Sequence, residues 1–196
     1  MKNIGFVHVP RTAGGSVVNE LMKTDCIILG HEVNSPNYMH IAEFRKFHPQ
    51  KDSYLFATVR NPYDRLVSAY HYLQKGGDNS QDKADAERYV LPFKSFEAFV
   101  LQSFKWNVLR KTTKQIHFIP QHFWLTKRKK ILVNHLYNFE NLSELFIFLE
   151  KEFDIKKVGH THLSKHSAFE GYYSKKMKTL AYKAYEKDFK LFNYPH

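Results

Sequence analysis

A stretch of small residues in "FVHVPRTAGGSVVNELM" (6–22) has the layout of a site that holds a phosphate. A short apolar segment runs into Ala13, Gly14 and Gly15, and a helical pattern follows. A helix that begins after such a loop offers backbone N–H groups and a partial positive charge to an anion, and small side chains let the anion approach. The Gly-Lys-Ser/Thr ending of the Walker loop is missing, because position 15 is glycine. The alternative interpretation is an ordinary tight turn between a strand and a helix.

A basic residue stands at the end of an apolar segment in "VRNPYDRLVSAY" (59–70). Arg60 ends that segment, and Ser68 lies two helical turns further on. In an open parallel sheet, ligands bind beyond the carboxyl ends of the strands, where both Arg60 and the first loop would lie. The structural alternative gives Arg60 a salt bridge, for example with Asp64, and makes Ser68 a small packing residue.

The elements that would position these residues alternate in type. Three apolar segments, at 3–9, 26–31 and 54–60, are bounded by turn or polar residues and predict strands. Helical patterns separate them at 15–23 and 40–47. This alternation predicts βαβ units and therefore an α/β fold with a central, mostly parallel sheet.

The remainder of the chain predicts mostly helices. Pro62 suits the first position of a helix over 62–75. The polar stretch 76–88 contains glycine and charges of both signs, so it predicts a mobile loop. Further helical patterns and a fourth strand follow, at 95–111, 141–153 and 174–192 for the helices and within 129–140 for the strand. Asn141 or Ser143 is placed to cap the helix that follows the strand.

The charge balance favours an anionic partner. The chain has 30 Lys and Arg against 19 Asp and Glu, a formal net charge of +11. Nucleic acid, a nucleotide, phospholipid or an acidic glycan would each be attracted, and the alternative is a solvated basic surface. The hydrophobic content of 43% argues against disorder.

The single cysteine, Cys26, excludes an intramolecular disulfide and a cysteine zinc cluster. The first residues, "MKNIGFVHV", lack the long apolar stretch of a signal peptide, and no apolar run approaches the roughly 18 residues that cross a membrane. We therefore expect no transmembrane segment and a cytoplasmic location.

The two motifs together carry a family resemblance. "HVPRTAGGSV" followed by "VRNPYDRLVSAY" resembles the paired signatures of the sulfotransferases that use 3′-phosphoadenosine 5′-phosphosulfate (PAPS), especially the branch that sulfates carbohydrates. Weaker similarity continues through "FIPQHFWL", "YNFENL" and "YEKDFKLFNYP", so it covers most of the chain. The resemblance implies one sulfotransferase domain over 1–196, with a sheet arrangement like that of the P-loop kinases and a helix-rich C-terminal half.

The resemblance also implies a donor site. The first loop would bind the 5′-phosphosulfate through Arg11, Thr12, Ala13, Gly14, Gly15 and Ser16. Arg60 and Ser68 would bind the 3′-phosphate. The family usually has lysine at the position of Arg11, and the planar head of an arginine does not reproduce the position of an ammonium group. Two alternatives stay open: Arg11 performs the lysine's role with altered geometry, or catalysis is weak.

Transfer to an acceptor hydroxyl also requires a proton acceptor, for which histidine has a suitable pKa. His40 is the first candidate, because related glycan sulfotransferases resemble this chain in carrying a histidine base ahead of a similar helical stretch. His31, at the end of the second predicted strand, is the second candidate.

The stretch "GHTHLSKHSAF" (159–169) resembles a basic loop that folds over the donor, so Lys165 would reach its phosphates. Zinc binding by His160, His162 and His166 is the alternative, but no carboxylate or cysteine is spaced with them. Sulfuryl transfer from PAPS needs no metal, and we expect none.

Two other classes of protein fit parts of the sequence. A nucleotide kinase or NTPase would share the fold, but it would have a lysine before the Ser/Thr of the loop and a carboxylate for Mg²⁺. A basic nucleic-acid-binding module would fit the charge, yet no motif of that class is present. The sequence therefore favours PAPS and a glycan hydroxyl as partners rather than a specific nucleic acid.

Overall fold

The computed structural model describes residues 3–30, 53–104, 115–128, 130–156, 158 and 168–196. In chain order its elements are β1 (Asn3–His8), α1 (Gly14–Leu21), β2 (Ile27–Gly30), β3 (Ser53–Val59), α2 (Pro62–Gln74), α3 (Ser80–Tyr89), α4 (Phe96–Ser103), α5 (His122–Leu125), β4 (Thr126–Lys127), β5 (Lys130–Ile131), β6 (His135–Asn138), α6 (Ser143–Phe153) and α7 (Lys175–Leu191). Short 3₁₀ turns at Phe139–Asn141 and Phe169–Tyr172 precede α6 and α7. The fold is mixed α/β, as the sequence predicts.

Four of these strands form one parallel sheet in the order β2–β1–β3–β6. β1 is central, since Gly5 is paired with Ile27 on one side and with Leu55 on the other. The fourth strand predicted within 129–140 is β6, which joins the sheet beside β3. The predicted central parallel sheet is thus confirmed.

The chain divides into two compact units, each with its own hydrophobic core. The first contains Met1–Arg60 and Gln121–Leu163, and the second contains Asn61–Pro120 and Ser164–His196. In the first unit, α1 and α6 pack with the sheet in one core. In the second, side chains of α2, α4 and α7 form a core rich in aromatic rings. The single domain over 1–196 stays a prediction.

The helix after β3 begins where the sequence predicts. Pro62 is its first residue, and Asn61 Oδ1 accepts a hydrogen bond of 2.9 Å from the backbone N–H of Tyr63. Proline has no N–H to leave unpaired at this position, and an asparagine cap satisfies one of the exposed donors. The local sequence therefore ends β3 and starts α2 within three residues.

The prediction of a mobile loop over 76–88 is wrong, because residues 80–89 form α3. Asn79 caps this helix by accepting from the backbone N–H of Asp82 at 2.8 Å. Only Asp82 and Ala86 of the helix are buried. The apolar periodicity that identifies most helices is absent from this segment. The buried carboxylate of Asp82 instead holds α3 against the rest of the second unit.

The capping prediction for α6 is also wrong. Leu142 occupies the cap position with helical dihedral angles, and no side chain caps the helix. The hydroxyl of Ser143 instead donates to Oδ1 of Asn141. The 3₁₀ turn over Phe139–Asn141 continues directly into the helix, so the extended residue that a side-chain cap requires is missing.

Two predicted helices lie wholly or partly outside the described residues. The helix at 40–47 is outside them, and so is the last part of the helix at 95–111. Across the portions of the chain that are described, no helix has the length and apolar character to span a lipid bilayer.

Candidate functional site

The loop between β1 and α1 holds two non-glycine residues in the left-handed region. Arg11 has a φ of 67° and Ala13 a φ of 70°. This conformation costs an L-residue roughly 1–2 kcal/mol, and it persists where the surrounding structure over-determines it. Contacts around the loop, rather than local preference, therefore fix its shape.

Thr12 anchors the loop to the interior of the first unit. Its side chain is fully buried, and Oγ1 donates a hydrogen bond of 2.9 Å to the carbonyl of Val9. The same oxygen lies 2.7 Å from Oγ1 of Thr58 on β3, which must therefore be the donor of that bond. The hydroxyl of Thr12 therefore holds the loop in place.

Gly14 is the first residue of α1 and lies directly against the buried ring of His8. A Cβ atom at position 14 would lie 1.9 Å from Cδ2 of His8, far inside van der Waals contact. The ring itself is stacked near Phe6, with ring centroids 6.2 Å apart. Glycine is thus required here by the packing of α1 against the His8 ring.

Two features of the N-terminus of α1 suit an anion. Ala13 occupies the cap position and makes no side-chain capping hydrogen bond, and the first turn contains no acidic residue. Ser16 lies half-buried in that turn, and Arg11 is half-buried in the loop. Backbone donors, a hydroxyl and a permanent positive charge are therefore grouped at the end of β1.

Arg60 follows β3 and reaches this loop. Its side chain is buried, with 4% exposure. Nη1 donates to the carbonyl oxygen of Arg11 at 3.3 Å, and the guanidinium lies 3.9 Å from the ring centroid of Phe139. The structure thus brings together two of the residues that the sequence placed at the carboxyl ends of neighbouring strands.

A comparison with known protein families shows which family the chain belongs to. A family model described as "Sulfotransferase family" matches residues 2–195. The chain belongs to the sulfotransferase family. Sulfuryl transfer is accordingly its general class of activity. Searches among curated proteins and among solved structures find no match.

Among the other predicted site residues of this sulfotransferase, only Ser68 belongs to the described part of the chain. Ser68 lies on α2 in the second unit, fully buried. His40, His31 and Lys165 lie outside the described residues. Within the described portion of the chain, no group of three or more His, Cys, Asp or Glu side chains is arranged to hold a metal ion.

Three residues that contact the candidate site were not predicted from the sequence. His8 packs beneath Gly14, Phe139 lies against the Arg60 guanidinium, and Gln121 bonds to the Arg60 backbone. Gln121 and Phe139 belong to "FIPQHFWL" and "YNFENL", whose similarity to the family gave a signal but no role. Nothing in the sequence around His8 indicates its contact with Gly14.

Gly14→Ala is expected to lower the free energy of unfolding by about 1–3 kcal/mol, the usual cost of overpacking a filled site. The new methyl group must displace His8 or the start of α1, since the ring occupies its place. Equilibrium unfolding in urea measures the change. Gly171→Ala is the matched control, because a Cβ there meets nothing within 4 Å, and we expect a change within about 0.5 kcal/mol. A Gly14→Ala variant as stable as its control would contradict the tight packing.

Proposed function

We propose that this sulfotransferase moves the sulfuryl group of PAPS to a hydroxyl group of a carbohydrate. The observation that carries the proposal is the hydrogen bond from the Arg60 guanidinium to the carbonyl of Arg11. It joins the residue expected at the 3′-phosphate to the loop expected at the 5′-phosphosulfate. A donor with phosphates at both positions of one ribose needs this pairing, whereas a nucleotide with a plain triphosphate does not.

The donor roles follow the chemistry of each group. The loop residues Arg11, Thr12, Ala13, Gly14, Gly15 and Ser16 would hold the 5′-phosphosulfate. Backbone N–H groups at the start of α1 suit its oxygens, and Arg11 adds a charge that a phosphate binds strongly. Arg60 and Ser68 would bind the 3′-phosphate, and Lys165 would reach the phosphates of the donor. The buried state of Arg60 supports its role, since a charge-assisted contact strengthens when water is excluded.

In the proposed reaction, the acceptor hydroxyl oxygen forms a bond to sulfur while the bond from sulfur to the phosphate oxygen breaks. Arg11 would stabilise the negative charge that develops on the leaving phosphate. A histidine would take the hydroxyl proton, with His40 as the first candidate and His31 as the second. The loop would hold the donor so that its sulfur lies in line with the acceptor hydroxyl.

A carbohydrate acceptor is supported by the resemblance and by the charge of the chain. A formal net charge of +11 attracts acidic polysaccharides to the protein. The donor and the acceptor are tested by separate experiments.

The donor is tested by thermal unfolding with three nucleotides. Adenosine 3′,5′-bisphosphate (PAP), the product that sulfuryl transfer leaves, is expected to raise the unfolding temperature without Mg²⁺. At 100 times its dissociation constant, a ligand of the folded state adds about 2.7 kcal/mol. Adenosine 5′-monophosphate (AMP), which lacks the 3′-phosphate, should stabilise less. Stabilisation by Mg²⁺-ATP alone would contradict the proposal and favour a nucleotide kinase.

The acceptor is tested by transfer of radiolabelled sulfate from PAPS to a panel of purified glycans and small phenols. Label incorporated into a glycan, and lost when the glycan is digested before the reaction, supports the carbohydrate assignment. Transfer confined to the phenols would leave the donor assignment intact and overturn the carbohydrate one.

A further inference from the structure

The side chain of Gln121 is paired with the backbone of Arg60. Its Oε1 accepts from the Arg60 N–H at 2.9 Å, and its Nε2 donates to the Arg60 carbonyl at 2.8 Å. Gln121 is fully buried, so water does not compete for these bonds. One primary amide thereby satisfies both polar backbone groups of a single residue, in the way that a neighbouring strand would.

This pairing lies at Arg60, the first residue after β3. Beyond Val59 the chain leaves the sheet, and Arg60 no longer has the ladder of hydrogen bonds that fixes the residues before it. Gln121 replaces that ladder for one residue. It therefore sets the position and direction of the Cα–Cβ bond from which the Arg60 side chain begins.

The far end of Arg60 is fixed by different groups. The face of Phe139 lies 3.9 Å from the guanidinium carbon, and the Arg11 carbonyl accepts from Nη1 at 3.3 Å. A long arginine side chain loses much conformational freedom when it grips a phosphate in a fork. Because both ends of Arg60 are held in the folded protein, part of this conformational freedom is already lost before a phosphate binds.

We propose that Gln121 is a positioning residue of the donor site, which acts on the 3′-phosphate through Arg60 without touching the donor. This rests on the proposed function, in which Arg60 binds the 3′-phosphate. The specificity for a 3′-phosphorylated nucleotide then depends on a backbone contact made by a residue 61 positions further along the chain.

A comparable contact at the start of β3 provides a matched control. Oδ1 of Asn134 accepts from the Leu55 N–H at 2.8 Å, and the Asn134 backbone N–H donates to the Leu55 carbonyl at 2.7 Å. Asn134→Ala therefore removes a side-chain bond to the backbone of the same strand, at a place where no donor contact is proposed.

The experiment measures PAP and AMP binding by calorimetry for Gln121→Met, Gln121→Glu and Asn134→Ala. Gln121→Met removes both bonds and is expected to weaken PAP binding about tenfold, equivalent to 1.4 kcal/mol, with AMP binding changed less than about twofold. Gln121→Glu keeps the acceptor for the Arg60 N–H but places a carboxylate oxygen against the Arg60 carbonyl, which repels it, so we expect a loss of PAP affinity at least as large. It also serves as the test if Gln121→Met does not fold. Asn134→Ala is expected to bind both nucleotides as the wild type does.

A double variant separates positioning from general damage. When Arg60→Ala is already present, Gln121→Met should cause no further loss of PAP affinity, because the residue through which it acts is gone. Equal weakening of PAP and AMP by both Gln121 variants would overturn the inference. So would unchanged PAP binding by them when Arg60→Ala does weaken it. Unchanged PAP binding in Arg60→Ala itself would instead overturn the assignment of Arg60 in the proposed function.

Discussion

The Arg60→Ala variant is expected to bind PAP at least tenfold more weakly than the wild type, with little change in AMP affinity. A charge-assisted hydrogen bond to phosphate contributes about 1.5–3 kcal/mol, and Arg60 is buried where that contribution is not diluted by water. Titration calorimetry with both nucleotides measures the difference directly. The loss should fall on PAP alone, because only PAP carries the 3′-phosphate.

Two further variants show whether charge or geometry is responsible. Arg60→Lys keeps the charge but loses the planar fork and the broad contact with Phe139, so an intermediate affinity is expected. Arg88→Ala removes the same charge from an exposed position on α3, where the guanidinium lies 5.3 Å from the Tyr89 ring centroid. If Arg88→Ala weakens PAP binding as much as Arg60→Ala, a diffuse basic surface binds the nucleotide and the site assignment fails.

The parallel sheet was predictable because its signals are local. Apolar segments bounded by polar residues mark β1, β2 and β3, and their observed ends lie within one residue of the predicted ones. Asn61 and Pro62 mark the change from strand to helix through their own stereochemistry. Such features require no knowledge of what the chain packs against, so the fold class followed from the sequence.

The shape of the loop between β1 and α1 was not predictable, since the contacts that fix it come from distant parts of the chain. Arg11 and Ala13 adopt left-handed conformations that their residue types disfavour. Thr12 holds them through Thr58, which is 46 residues away, and Arg60 holds the Arg11 carbonyl from 49 residues away. Small residues in the sequence indicated that something anionic fits there, but only tertiary contacts define how.

The helix α3 was not predicted for a similar reason, because the contacts that hold its Asp82 come from other segments of the chain.

Asp82→Ala is expected to lower the free energy of unfolding by about 3–5 kcal/mol, the cost of breaking a buried, paired charge. The Asp82 carboxylate accepts from Nε2 of His117 at 2.9 Å, from the Tyr72 hydroxyl and from Nδ2 of Asn79 at 3.0 Å. Its removal leaves buried donors on two other segments without their acceptor. Urea unfolding measures the loss, and Glu87→Ala, at an exposed position of the same helix, is expected to change stability by less than about 0.5 kcal/mol.

The pH dependence of that loss identifies the ionised carboxylate as its source. Burial by itself would raise the pKa of Asp82, but the hydrogen bonds from His117 and Tyr72 outweigh it and lower the pKa from 3.8 to about 2. A carboxylate whose pKa is lower in the folded state stabilises the protein above its unfolded pKa, and the stabilisation disappears as the pH falls through the folded one. The gap in stability between the wild type and Asp82→Ala should therefore be fully present at about pH 5 and narrow between pH 4 and pH 2. A gap that stays constant down to pH 2 would mean that Asp82 contributes through packing alone, because its ionisation would then make no difference to folding.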